Sequence, residues 1–125
     1  MASMNKKRCL TFEAGADLSS AQFRFVKLSS GQVVQQDTAG GSCAGVLITP
    51  ADAQGKAVEV ACSDGQIVKI VAGAAVAQDA KVQSDASGRA ITAATGDHVQ
   101  GTALQAASAA GEIIEVLLLS EHILA

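Results

Sequence analysis

Tryptophan and tyrosine are missing from this sequence, and its only aromatic side chains are Phe12, Phe23 and Phe25. Without them a chain has few flat platforms on which single-stranded nucleic-acid bases stack or apolar sugar faces pack. Basic residues are outnumbered as well: nine Lys and Arg stand against twelve Asp and Glu, giving a net charge of −3. Nucleic-acid binding rests on clustered Lys and Arg that displace counterions, so the composition argues against a nucleic-acid partner. Long apolar runs are absent too. The most apolar stretch, "IIEVLLLSEHILA", is broken by Glu115, Glu121 and His122 and is too short to span a bilayer. The start, "MASMNKKRCLTF", is basic but has no apolar segment of a signal peptide behind it. No membrane partner is expected, and synthesis in a reducing cytoplasm is. Cysteine is sparse: Cys9, Cys43 and Cys62 make no CxxC pair, and an odd count cannot close wholly into intramolecular disulfides.

What remains is small and β-branched. The apolar fraction is 49%, mostly Ala, Val, Ile and Leu, with 12 Gly and one Pro among 125 residues. Such a composition suits thin sheets and tight turns, and the length suits one domain that buries roughly two-thirds of its unfolded surface. Alternation predicts strands over 22–28, 33–36, 45–49, 56–62, 66–72, 80–84, 89–93, 98–105 and 112–119. In the first of these, Phe23 and Phe25 should share a face. The Ala-rich loops at 50–54 and 105–110 allow one or two short helical turns. The expected fold is all-β, a small sandwich or barrel of short antiparallel strands and hairpins.

The chain also repeats itself. "GVLITPADAQGKAVEV" (45–60) and "GTALQAASAAGEIIEV" (101–116) stand at a constant offset of 56 residues. They share Gly45/Gly101, Ala51/Ala107, Ala53/Ala109, Gly55/Gly111, Glu59/Glu115 and Val60/Val116, and the same offset pairs Gly40 with Gly96 and Val26 with Val82. Each copy reads strand, Ala-rich loop, glycine, strand. The glycine before the second strand is where a positive φ would let the backbone reverse. An internal duplication, Val26–Val60 against Val82–Val116, follows.

Catalytic chemistry is hard to find. "GSCAG" places Cys43 in a G-x-nucleophile-x-G pattern, but that elbow works by turning a strand into a helix, and here a strand pattern follows. Val99 occupies the matching position of the second copy. The two histidines, His98 and His122, have no partners at metal-ligand spacing. Glu59 and Glu115 are flanked by Val or Ile and should point outward from half-buried strands. "TAGGSCAG" lacks the GK[ST] ending of a phosphate loop. No catalytic residue, metal or cofactor is expected.

Two features exceed what an isolated domain needs. Leu117, Leu118 and Leu119 put apolar side chains on both faces of a strand, and either the core or a second subunit covers them. Leu118, Ile123 and Leu124 are therefore candidate subunit-interface residues. At the other end, Lys6, Lys7 and Arg8 precede Leu10 and Phe12. They form either a solvated terminus or a basic arm that adds a strand to a partner's sheet, anchored by Leu10 and Phe12. The expected organisation is an N-terminal arm over 1–21 and a single β domain over 22–125.

"FEAGADLSSAQFRFVKL", "AGVLITPADAQGKAVEV" and the run from Val71 to Leu119 resemble, in order and spacing, tailed-phage capsid decoration proteins, also called cement proteins. The most specific pieces are the "GADLS…F..VKL" opening and the "G.ALQAASA.GE.IEVLL" close. The resemblance implies a small β-rich virion protein on the outer surface of an expanded phage head, commonly a trimer at threefold and quasi-threefold positions. Its partners would be the major capsid protein and further copies of itself. It offers no catalytic residues. In that setting Lys6, Lys7, Arg8, Leu10 and Phe12 are candidate capsid contacts. A receptor- or glycan-binding domain of a virion fibre is the alternative.

Overall fold

The computed structural model describes residues 9–62 and 65–124. Among these residues there are ten strands and no helix: β1 (Cys9–Glu13), β2 (Phe25–Ser29), β3 (Gln32–Gln35), β4 (Gly45–Leu47), β5 (Ala57–Ala61), β6 (Ile67–Val71), β7 (Lys81–Ser84), β8 (Ala90–Thr92), β9 (His98–Ala103) and β10 (Ile113–Ile123). They make two five-stranded antiparallel sheets, ordered β1-β5-β4-β2-β3 and β6-β10-β9-β7-β8. Within each half the order is first, fifth, fourth, second, third. The all-β expectation is met, and the repeated unit is a whole sheet rather than a hairpin.

Registers repeat as faithfully as the order. Val26 lies opposite Gly45 and Leu47 opposite Val60; 56 residues later, Val82 lies opposite Gly101 and Ala103 opposite Val116. Each sheet curls back on itself through one parallel bridge, Ala14 to Val33 in the first and Ala72 to Ala90 in the second. The curl wraps each sheet around its own small interior. Ala14, Leu18, Val26, Val33, Leu47, Ala51, Val58 and Val60 are buried together in the first repeat. Their counterparts Ala72, Val76, Val82, Ala90, Ala103, Ala107, Ile114 and Val116 are buried together in the second.

Small side chains allow such tight curls, and glycine sets the tightest points. A Cβ on Gly101 would stand 2.5 Å from the Leu117 carbonyl oxygen and 2.7 Å from Val116 Cγ1, and one on Gly45 would meet the Ala61 oxygen and Val60 Cγ1 in the same way. The expected positive φ before the last strand of each repeat is also present, at Gly55 (90°) and Gly111 (93°). The Ala-rich loops form bends rather than helical turns. Ala51 and Ala107 are held instead by bonds to their carbonyls from the Leu18 N–H (2.7 Å) and the Val76 N–H (2.9 Å). Such long-range bonds compete well with a short helix, whose first turn is costly to nucleate.

The two repeats are joined face to flank. Phe25, Val46 and Ala61 alternate with the inward Val26, Leu47 and Val60, so they face the opposite side of the first sheet. There they are fully buried as part of the second repeat's apolar cluster. Backbone bonds lace the same seam: Val71 N–H to Phe23 O (2.9 Å), Phe25 N–H to Gly88 O (2.7 Å) and Gly40 N–H to Ser84 O (2.9 Å). Phe23 departs from the expected strand. It has φ 62°, a left-handed conformation that a bulky residue adopts rarely, and so does not share a face with Phe25. That conformation lets it donate to Leu47 O (2.8 Å) while its carbonyl accepts from Val71.

Residues 9–21, expected as part of an arm, are built into the first repeat. β1 pairs along its length with β5, from Cys9 opposite Ala61 to Glu13 opposite Ala57, and Ala14, Leu18 and Ala21 are buried. The sequence in β1 is short and weakly alternating, so its pairing depends on a partner strand nearly fifty residues away.

Candidate functional site

The chemically richest cluster sits where the loop before β4 meets the end of β10. Cys43 lies there, half-buried. Its sulfur accepts from Gln36 Nε2 and donates to Gly41 O, both at 3.5 Å. Burial pushes the thiol up to about 11; Gln36 works against that shift, and the neighbouring Glu121 charge adds to it. Burial and the Glu121 charge favour the thiol over the thiolate that nucleophilic attack requires. The glycine that completes the "GSCAG" pattern is Gly45, which opens β4 rather than a helix. The absence of a helix removes the geometry the elbow requires.

Glu121 is the centre of this cluster. Its carboxylate accepts from Ser42 Oγ (2.6 Å), the Cys43 N–H (3.0 Å) and Gln100 Nε2 (2.7 Å). His98 Nδ1 stands 3.2 Å from it. Ser, His and Glu are all present, yet the serine hydroxyl bonds the carboxylate directly, so the imidazole is not placed between them as a base. Sequence reading missed this cluster because Glu121 is separated by 79 residues from Ser42. One signal was available: Ser42 and His98 occupy equivalent positions, 56 residues apart.

Among the described residues no group of three or more His, Cys, Asp or Glu could hold a metal ion, and no helix is long and apolar enough to cross a membrane. Gln36, 1% exposed, spends its amide on the loop it anchors, donating to Ser42 O (2.5 Å) and accepting from the Asp37 and Thr38 N–H groups (both 3.1 Å). Glu59 and Glu115 are exposed, as their flanking residues predict.

The residues singled out for contacts fall in different settings. Lys6, Lys7 and Arg8 lie outside the described residues. Leu10 is 56% exposed on β1, whereas Phe12, opposite Val58, packs against the first repeat's interior. Leu118 is not on the surface. It continues the inward series Ile114, Val116, Leu118 along β10 and is only 5% exposed, covered by the chain's own core. Ile123 is 58% exposed, and Leu124 is half-buried, its backbone bonded to Gly96 and Asp97. The outer side of the second sheet adds Ile67 and Ile113, about half exposed, with the Lys69–Glu115 pair between them. Beside Ile113 a shallow groove of about 380 Å³ is lined by Phe23, Lys69, Gln105, Ile113, Ile114 and Glu115.

Sequence comparison supplies the family of this all-β duplicated block. The family described as phage cement protein matches residues 9–118. The chain belongs to the phage cement protein family. Membership makes it a structural protein of a phage virion, associated with the capsid. The fold has a solved counterpart in the N base of head fiber gp8.5 of bacteriophage phi29, with a TM-score of 0.70 at 16% identity over 89% of this chain and 94% of that one. No curated protein matches.

Proposed function

We propose that this protein binds the outer surface of the expanded phage capsid and stabilises it at threefold and quasi-threefold positions, as a trimer. The observation that carries the reading is the family match over residues 9–118, nearly the whole folded body. A fold shared with a head fiber base is consistent with a block seated on a phage head. The major capsid protein is the partner, and the action is mechanical. A protein that binds only the expanded shell lowers that state's free energy by its binding free energy.

Contacts are assigned to the chain's start. Lys6, Lys7 and Arg8 lead directly into β1, the outermost strand of its sheet, and Leu10 is the exposed apolar residue beside them. Phe12 supports β1 from within. In the trimer, Ile123 and Leu124 are the interface residues; Leu118 acts behind them by filling the core. Three weak arms on one trimer engage together, and linkage of that kind raises avidity by roughly 10²–10⁴.

Co-sedimentation with heads lacking the protein tests this. Saturable binding to expanded heads, in copy numbers divisible by three and with unexpanded heads bare, is the expected result. Loss of that binding when residues 1–8 are deleted would assign the contact to the arm; unchanged binding would remove it from the arm. The other reading, receptor or glycan binding in a fibre, predicts specific retention on a glycan array and no saturable binding to heads.

A further inference from the structure

One carboxylate is gripped by both repeats. β10 pairs with β9 through Leu118 opposite Gly101 and again through His122 opposite Val99, and the register shifts between the two. The extra residues of such a bulge re-aim a side chain, here that of Glu121. Ser42 Oγ and His98 Nδ1 both approach its Oε2, at 2.6 and 3.2 Å. The Cys43 N–H and Gln100 Nε2 both donate to its Oε1, at 3.0 and 2.7 Å. Each oxygen thus receives one group from the loop before β4 in the first repeat and one from β9 in the second. At the offset of 56, the residue matching Glu121 is Gly65, so the first repeat has no such carboxylate at that position.

We propose that Glu121 is an acid-sensitive latch, fastening the C-terminal end of β10 to the first repeat and so holding the two repeats together. Hydrogen bonds to an ionised acceptor are stronger than neutral ones, and protonating this carboxylate removes that advantage from all four contacts. The groups around it are Ser42 and Cys43 from the loop before β4, His98 and Gln100 from β9, Ser120 and His122 from β10 itself, and Cys62 just after β5, which lines the same cavity. His122 Nδ1 is turned to Ser120 O at 3.0 Å. The Cys43 thiol, pushed up to about 11, stays neutral through the acid range. Burial alone would raise the Glu121 carboxyl, but the bonds from Ser42, Cys43 and Gln100, with His98 beside them, outweigh it and hold the group below its ordinary value. The sign follows: the latch contributes fully above the ordinary carboxylate range and is lost as pH falls through the lower folded-state value. With 28% of the side chain exposed, solvent protons reach it directly.

Amide hydrogen exchange on the full chain, corrected for intrinsic rates, tests the latch in wild type and E121Q from neutral pH down to below the Glu121 midpoint, which carboxyl NMR titration fixes. Near neutrality E121Q should open segments 41–44 and 119–124 roughly tenfold more often than wild type, with β2 and β7 unchanged. That gap should close below the measured midpoint, where the wild-type side chain is itself neutral. A gap of the same size at every pH, or wild-type segments indifferent to acid, would overturn the proposal. Should E121Q not fold, carboxyl NMR titration of the wild type decides. A Glu121 midpoint below the ordinary glutamate value, with shifts at the Ser42 and His98 amides at that same midpoint, supports the latch; an ordinary midpoint contradicts it. H98Q should retain the acid transition, because the titrating group is the carboxylate.

Discussion

The two repeats agree inside and differ outside. Their interiors match position by position, from Ala14/Ala72 through Val26/Val82 to Val60/Val116, although Leu47 and Val33 become Ala103 and Ala90. On the outer face the same strands carry Phe25, Val46 and Ala61 in the first repeat but Lys81, Thr102 and Leu117 in the second. The first set is fully buried against the second repeat. The second set is half-open, and Lys81 Nζ donates to Thr102 Oγ1 at 3.1 Å. A curled sheet needs its interior in order to fold; its exterior is free to change with its neighbour. The first repeat's exterior has become an internal joint, and the second repeat's has remained a surface.

Substitutions at equivalent positions break that comparison where it is sharpest. Phe25→Ala should cost about 3–5 kcal/mol, while Lys81→Ala at the matching position should stay within about 0.5 kcal/mol; urea unfolding of the pair measures both. Equal costs would mean that the joint contributes no more than the surface. Leu47→Ala gives the first repeat the second repeat's residue and should still cost about 2–5 kcal/mol, because the surrounding packing is not the second repeat's. Gly45→Val and Gly101→Val should both destabilise by at least about 1–3 kcal/mol, since an added side chain meets the facing strand's carbonyl oxygen in each repeat. Gly45→Val should cost more, because Gly45 also holds φ 158°, which side chains rarely adopt. Equal costs would show that this backbone conformation adds no strain. The smallest effect concerns Cys43, whose counterpart is Val99. With its thiol pushed up to about 11, only about one molecule in a thousand carries the thiolate near pH 8. Iodoacetamide should therefore modify Cys43 far more slowly than a solvated thiol, as mass spectrometry of the labelled peptide would show.

Much of this was legible in the residues, for physical reasons. Val26, Val60 and the paired glycines fall at one offset because a repeated curl needs the same close approaches twice. The strand alternation of 56–62 and 66–72 is visible because one face of each is buried and the other is not. Three things were not legible. β1 is fixed by its distant partner β5 rather than by its own pattern. The left-handed turn at Phe23 is imposed by bonds from both sides, to Leu47 and Val71. The Glu121 cluster depends on a bulge, which appears only once β9 and β10 are in register. Leu118 shows the ambiguity of the leucine run: one apolar side chain reads the same whether a core or a subunit covers it.

The most direct test of capsid cementing is a cryo-electron microscopy reconstruction of expanded heads saturated with the purified protein. Three copies are expected around each threefold or quasi-threefold position, each with two five-stranded lobes and with its N-terminal residues against the shell. Heads without added density, or density away from those positions, would contradict it.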